Sequence, residues 1–583
     1  MKKIFLPIIV LAAALTTGCN ENLLDIPQKG VDTMQSFYKT DQDAEEAMVA
    51  AYQGFLWNIC TKEGGNIYAP MRAVFNLCGD DMYAAGEFFG DNDYMAAMNE
   101  FRYDSSSDVV RNAYSNIYYA MYYSNIVIEK FTRDDATPVM KRVVAEARVL
   151  RAYMHMMLAI GWGNPPLVDH LLDAADLPHN CDADPSNPMS HNELLLWCAK
   201  ECEESIDNLD ERKSTADKDG AVKVTKGFAW SVAGKARLFA GDYAGAKTDL
   251  EKVITSGKYD LVPGERFDEN FHIEGDCNEE KIFEANLENN TSLSYWDVVN
   301  RSTWMEANIW NWRSDHFVAN PSTSYSSIDG WGGCGLPQSF VDEFIANDGP
   351  DSYRLKATMI SIEDVVYNSV YNLADIDAMT PEQKAASDKV GIDARGLYGQ
   401  SFYLPLKPVA RVADLKGRGQ NVRLNNYVLM RYAEVLLMYA EACVQTGDAA
   451  SALPVIQRIQ RRAGSKTVST SVDMDVIKKE KKLELWLEGC RWPDLVRWGD
   501  TEGVKKAGQD VTVLYDKFTR APQSSDENVK WLSPDSRFYT VSTHAAKDNG
   551  FTVGFQTGKH EYFPFPFSVT SKNPNLTQRD AWK

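Results

Sequence analysis

Residues 225–261 read TKGFAWSVAGKARLFAGDYAGAKTDLEKVITSGKYDL, and the spacing within them fixes a helix–turn–helix unit. Phe228, Ala233, Ala236 and Leu238 recur at helical intervals, Gly241-Asp242-Tyr243 breaks the period, and Ala246, Leu250 and Val253 resume it. Residues 427–464, YVLMRYAEVLLMYAEACVQTGDAASALPVIQRIQRRAG, repeat the pattern. Gly447, Ala452 and Ile459 each stand 206 positions after Gly241, Ala246 and Val253 (447 less 241, and so on). The glycine permits the tight turn, and the small alanine lets two helices approach closely.

Each unit resembles a tetratricopeptide repeat. Upstream, Ala44, Ala47, Met48, Ala51 and Phe55 predict an amphipathic helix over Asp41–Phe55. Further helices are expected over Val109–Lys130, over Lys141–Ile160, and over Asn192–Leu209 before the polar loop Asp210–Gly220. The third ends at Gly161-Trp162-Gly163-Asn164-Pro165-Pro166, which forbids continuation. Two repeats so far apart cannot stack from neighbouring sequence alone, so the helix pairs around 33–130 and 141–209 are expected to fill the space between them. The predicted fold is mainly α, with a tetratricopeptide-like scaffold over 33–261 and 425–500. A loop-rich part over 262–424 carries the ligand site, and 501–583 is irregular.

The chain begins Met1-Lys2-Lys3, runs apolar from Ile4 to Leu15, and reaches Leu15-Thr16-Thr17-Gly18-Cys19. Basic residues, an apolar stretch too short to span a bilayer and small residues before a cysteine read as a lipoprotein signal peptide over 1–18. Cys19 is then the acylated first residue of the mature chain. The remainder, 19–583, is read as one domain tethered to a membrane. Its 44% apolar and 25% charged composition is that of a globular protein, and a net charge of −21 argues against nucleic acid as a partner.

The nine cysteines after Cys19 are odd in number and sit at core-like positions such as Cys198, Cys202 and Cys443, which argues against a disulfide framework. With C-x-x-C and H-E-x-x-H both absent, no metal site is expected, and His155 on its apolar helix reads as a hydrogen-bonded core residue. The acids of Asp91-Asn92-Asp93 lack EF-hand spacing, so calcium has no motif and no cofactor is expected.

Binding chemistry concentrates in Val262–Asn425, which is rich in Gly, Pro, Asn and Ser. Trp296, Trp304, Trp310, Trp312 and Trp331 are five of the chain's 14 tryptophans, with Tyr295 and Tyr325 beside them. Indole offers a flat apolar face that matches the C–H face of a pyranose, while neighbouring Asn, Asp and Arg groups meet hydroxyls. Carbohydrate is the expected ligand class, and the bland alternative is that these rings staple the loop to the core. A second patch, Tyr83, Phe88, Phe89 and Tyr94 within Gly79–Asn99, reads as an exposed polar loop with solvated charges. The candidate contact residues are Tyr83, Tyr94, Trp296, Trp304, Trp310, Trp312, Tyr325 and Trp331.

Several motifs together resemble the SusD/RagB family of outer-membrane lipoproteins. They are Asn22-Leu23-Leu24-Asp25-Ile26-Pro27; Ala145-Glu146-Ala147-Arg148-Val149-Leu150-Arg151-Ala152-Tyr153 with the following Gly163–Val168; Arg431–Ala442; Glu484–Leu495; Phe563-Pro564-Phe565-Pro566; and Asn573–Gln578. Arg148, Arg151, Glu434, Glu441, Glu488 and Arg491 within them read as paired charges at helix contacts. One departure is Lys479-Glu480-Lys481-Lys482, where the family more often has Glu-Arg-Arg-Arg, and a lysine cannot form a bidentate clamp. The resemblance implies a lipid-anchored protein on the cell exterior that binds glycans and passes them to a SusC-like TonB-dependent transporter, without catalysis. No catalytic residue is expected. A peptide or other non-sugar cargo is the alternative, and a surface glycoside hydrolase, which would need two carboxylates across a cleft, a more remote one.

Overall fold

A computed structural model describes residues 37–61, 70–86, 92–294, 303–311, 330–361, 403–415, 423–501, 511–514, 541–544 and 554–583. Cys19 and the amino-terminal motif lie outside the described residues. The four expected upstream helices are present as α1 (Asp41–Phe55), α4 (Asp108–Phe131), α5 (Pro138–Trp162) and α6 (His191–Ser205), and two short helices that the pattern did not announce, α2 (Met71–Cys78) and α3 (Asp93–Asn99), stand between α1 and α4. The first repeat forms α7 (Lys226–Phe239) and α8 (Tyr243–Thr255). Their starts follow from capping chemistry: Thr40 with Asp43 and Ser190 with Glu193 each form a reciprocal capping box. Helix α5 runs two residues past Ile160, because only Gly163, at φ +81°, turns the chain away before Pro165-Pro166.

The two repeats are built alike. Gly241 and Gly447 have φ of +80° and +79° with open space where a Cβ would stand, so backbone conformation rather than crowding selects glycine. Asp242 and Asp448 cap the second helices through Gly245 N and Ser451 N. Ala246, Ala452, Val253 and Ile459 are buried. The second copy departs from expectation at its start: Tyr427–Arg431 is a strand, β6, and helix α12 begins only at Tyr432, running to Gln445 before α13 (Ala449–Ala463). In the first repeat Gly234 lies against Leu250, where a Cβ would come within 2.6 Å of Leu250 Cγ. Gly234→Ala is therefore expected to cost about 1–3 kcal/mol by overpacking, read as a lowered denaturation midpoint. A midpoint unchanged or raised would mean that α7 and α8 do not pack this closely.

Helices pack in the order α1, α4, α5, α6, α7, α8, α12, α13. This corrects the expected arrangement: no helix pair fills the space between the repeats, because α8 packs directly on α12. Lys247 Nζ reaches Asp448 at 2.7 Å, and Lys235 Nζ reaches Glu434 at 2.7 Å. The cause is the strand β2 (Lys281–Ala285), which leaves the first repeat and pairs antiparallel with β6, Lys281 opposite Arg431, closing the intervening excursion at its base. One apolar cluster runs from Ala44 to Leu576.

The excursion itself is less irregular than its composition predicts. It contains α9 (Trp304–Trp310), β3 (Cys334–Gly335), α10 (Gln338–Asp348), α11 (Tyr353–Thr358), and the paired strands β4 (Met359–Ser361) and β5 (Tyr403–Pro405). Downstream, the Glu484–Leu495 motif spans the joint between two helices: α14 (Met474–Glu484) and α15 (Arg491–Trp498) flank a turn with positive φ at Leu487 and Gly489. Val511–Leu514 and Val541–His544 pair as antiparallel strands within the segment expected to be irregular.

All six charges read as helix-contact pairs are paired. Arg148 and Arg151 share Glu201, Lys235 meets Glu434, Arg497 forks onto Glu441, Arg431 meets Glu488, and Arg491 forks onto Asp80. Lys481 sits between Glu441 and Asp494 at 3.3 and 2.6 Å. The bidentate clamp that a lysine cannot make is supplied by Arg497, with two contacts of 2.6 Å to Glu441. The motifs around Gly163 and Phe563 also meet: Trp162 Nε1 donates to Pro564 O, Phe563 N to Gly161 O, and Thr577 N to Asn180 Oδ1.

Candidate functional site

The two aromatic segments, far apart in sequence, are brought together by a two-stranded sheet. Strand β1 (Tyr83–Ala84) pairs antiparallel with β3, Tyr83 opposite Gly335 and Ala84 opposite Cys334. The strap Gly330-Trp331-Gly332-Gly333 is stitched along the end of α9 by Trp331 N to Asn308 O, Gly332 N to Asn311 O and Gly333 N to Ile309 O. A Cβ at Gly330 would fall 2.1 Å from Asn311 O, and one at Gly333 2.5 Å from Met95 Cε of α3. Backbone crowding requires glycine at 330 and a φ of +65° favours it at 332, so glycine is selected on both sides of Trp331, whose indole is the strap's one large side chain. Trp331 and, on α3, Tyr94 are half-buried rings packed on the core at this junction.

The other candidates fall in different places. Tyr83 and Trp310 are 2% and 3% exposed and belong to the core, which corrects their reading as open stacking faces; close pairing of β1 with β3 and of α9 with the strap encloses them. Trp304 opens α9. Trp296, Trp312 and Tyr325, with Phe88, Phe89 and Asp91, lie outside the described residues. The reading of Gly79–Asn99 as an exposed loop is also corrected. Asp80 accepts the Arg491 fork at 2.6 and 2.8 Å, Asp81 O accepts from Trp486 Nε1, and α3 occupies its end.

Beneath Trp310 lies a cavity of about 50 Å³ lined by Arg72, Glu306, Lys407, Arg423, Tyr427 and Glu488. Arg72 pairs with Glu306 at 2.7 Å and stands 3.6 Å over the Tyr427 ring. Burial pushes the Lys407 amine down to about 8 despite Glu488 at 2.6 Å. This space suits water rather than a sugar ring and forms a charged floor to the junction.

Nine cysteines are free thiols, eight of them buried, as their placement predicts. His155 is buried with its Nε2 at Val168, as expected of a core histidine. Among the described residues no group of three or more His, Cys, Asp or Glu could hold a metal, and no helix is long and apolar enough to cross a membrane. The sequence reading missed Trp57, which at 50% is the one tryptophan more than a third exposed among the described residues. Its signal was available: it follows Phe55 off the apolar helical stripe.

Residues 280–582 match the model of the SusD family, and residues 46–193 match a second model described as starch-binding associating with outer membrane. A SusD-like protein of Bacteroides ovatus is 24% identical over 506 residues, covering 84% of this chain and 82% of that protein. SusD-like protein P38 of Formosa agariphila is 20% identical over 505 residues, covering 84% and 90%. Among solved structures, a laminarin-binding SusD-like protein superposes with a TM-score of 0.68 at 21% identity, covering 93% of this chain and all of the other. Surface glycan-binding protein A from Bacteroides thetaiotaomicron, in complex with laminarihexaose, gives 0.67 at 19% identity, covering 93% and 99%. With the family model spanning more than half of the sequence and the helical scaffold matching throughout, this chain belongs to the SusD family.

Proposed function

We propose that the protein is a cell-surface glycan-binding lipoprotein, anchored in the outer membrane through Cys19, that captures oligo- or polysaccharide without turning it over. In this reading it delivers its ligand to a SusC-like TonB-dependent transporter. The observation that carries the binding step is the junction of α3, α9 and the glycine-flanked Trp331, where two aromatic segments from opposite ends of the scaffold converge. A structural neighbour described as laminarin-binding, a second in complex with laminarihexaose, and a family model described as starch-binding support a glycan ligand. The outer-membrane wording of that same family model supports the location. Stacking on one or two rings with a few hydrogen bonds gives modest affinity, which suits a ligand that must be released.

The test is a glycan array with residues 20–583, carrying mucin and plant polysaccharides, laminarin, starch and peptide controls, followed by affinity gels. Trp331→Ala is expected to weaken retention about tenfold or more while the melting temperature moves by only a few degrees. Normal retention by Trp331→Ala would remove the junction from the site. Peptide binding with no glycan bound would overturn the glycan reading, and release of reducing sugar would overturn the absence of turnover.

A further inference from the structure

We propose that the groove beside Trp57 is a second carbohydrate-binding site, which takes a short run of pyranose rings from the same glycan; this rests on the glycan reading above. Helix α1 buries Ala44, Ala47, Met48, Ala51 and Phe55 along one stripe and then widens into a π turn, Leu56–Thr61. Asn58 Nδ2 donates to Gly54 O at 2.8 Å and Thr61 Oγ1 to Trp57 O at 3.3 Å, so side chains within the turn fix its backbone. Turns of this kind recur at functional sites, because the extra residue swings a side chain out of the helical register. Here Asn58 and Ile59 are buried while Trp57 is turned half into solvent.

The opposite wall is the continuation of β2. Its two-residue alternation buries Ala285 and Leu287 and exposes Asn286, Glu288 and Asn290. Leu287 N donates to Asn426 Oδ1 at 3.0 Å, which holds the wall in that register. Between the walls lies a groove of about 390 Å³, lined also by Gln53, within the size range of small-molecule clefts. An indole face on one side and amide and carboxylate groups on the other match the two faces of a pyranose: C–H groups stack, and hydroxyls donate to Glu288 and exchange hydrogen bonds with the amides. An apolar partner would desolvate Asn286, Glu288 and Asn290 without replacing their bonds. The π turn also touches α9, so groove and junction occupy neighbouring elements. A chain long enough to reach both gains effective concentration at the second.

The test uses affinity gels of laminarin, starch, mucin and arabinoxylan, comparing the wild type with Trp57→Ala, with the double variant Asn286→Ala/Glu288→Ala, and with Trp331→Ala. The double variant alters only exposed side chains, so it reports on the groove even if Trp57→Ala lowers the yield. On a polysaccharide that retains the wild type, both groove variants are expected to weaken retention about tenfold. Wild-type retention by both groove variants, with retention lost in Trp331→Ala, overturns the groove and leaves the junction standing. Loss in the groove variants alone supports the groove and removes the junction. If no polysaccharide retains the wild type, both readings fall.

Discussion

Arg431→Ala is expected to leave no stably folded protein. The guanidinium is fully buried where β6 meets α12, and it holds three carboxylates at once, with Nη1 2.7 Å from the buried Glu280 and Glu484 and Nε 2.7 Å from the partly buried Glu488. Arg462 also reaches Glu280 and Glu484, and Arg354 joins Glu484 to Glu480 and Asp348. Removing one partner of a buried ion pair costs about 3–5 kcal/mol, because Glu280, Glu484 and Glu488 cannot rehydrate and are left to share Arg462, Arg354 and Lys407, one cation fewer than the network holds. That is a large part of the roughly 5–15 kcal/mol that holds a domain together. It would fall on the β2–β6 pairing that sets the second repeat against the first. The control is Arg458→Ala, whose partner Asp260 is 56% exposed and whose loss is expected to cost less than about 1 kcal/mol. Soluble yield and urea denaturation would check both, and an Arg431→Ala midpoint near that of the wild type would show that the network does not hold this joint.

The scaffold was legible because helix pairs write their own geometry into the sequence. Gly241 and Gly447 mark turns, Asp242 and Asp448 mark helix starts, and alanines at matching offsets mark close approach. The stacking order was not legible, because it depends on a strand pairing between residues 281–285 and 427–431 that no local period announces. The charged motif residues were readable as ion pairs, since helical charges on apolar faces must find partners. Their partners Asp80, Glu201 and Arg497 lie on other elements and were out of reach.

Ring counting picked out two segments that the fold brings together, but it could not tell enclosed rings from half-buried ones. Tyr83 and Trp310 look like Trp331 in composition and differ only in which side of a short strand or helix they occupy. Trp57 has no aromatic cluster around it in sequence, and only the π turn and the extension of β2, far along the chain, set it beside a groove.

Acid is expected to unfold the protein in two stages, each with its own groups. Burial pushes the imidazoles of His155 and His560 down to about 4 from an ordinary 6.5. A histidine depressed in the folded state contributes stability that is complete above its unfolded value and lost as pH falls towards its folded one. The first stage therefore runs from about pH 6.5 to 4, at roughly 3 kcal/mol for each ring. The carboxylates follow. Burial alone would raise Glu488 and Glu441, but Arg431 and Lys407 outweigh it at Glu488, and Arg497 and Lys481 at Glu441, holding each at about 2. Glu484 lies lower still, where Arg462, Arg431 and Arg354 together overcome its burial. Their stabilisation is present above about pH 4.5 and disappears as they are forced to protonate between there and pH 2. Glu146, Glu480 and Asp249, raised by burial, take up protons earlier and offset part of this loss. Urea denaturation at pH 7, 5.5, 4.5 and 3.5 should show stability falling throughout, and His155→Gln should flatten the decline above pH 4. A stability unchanged from pH 7 to 4.5 would mean that the two rings are not held neutral in the core. A protein stable at pH 2 would mean that the Arg431 network does not depend on its carboxylates being charged.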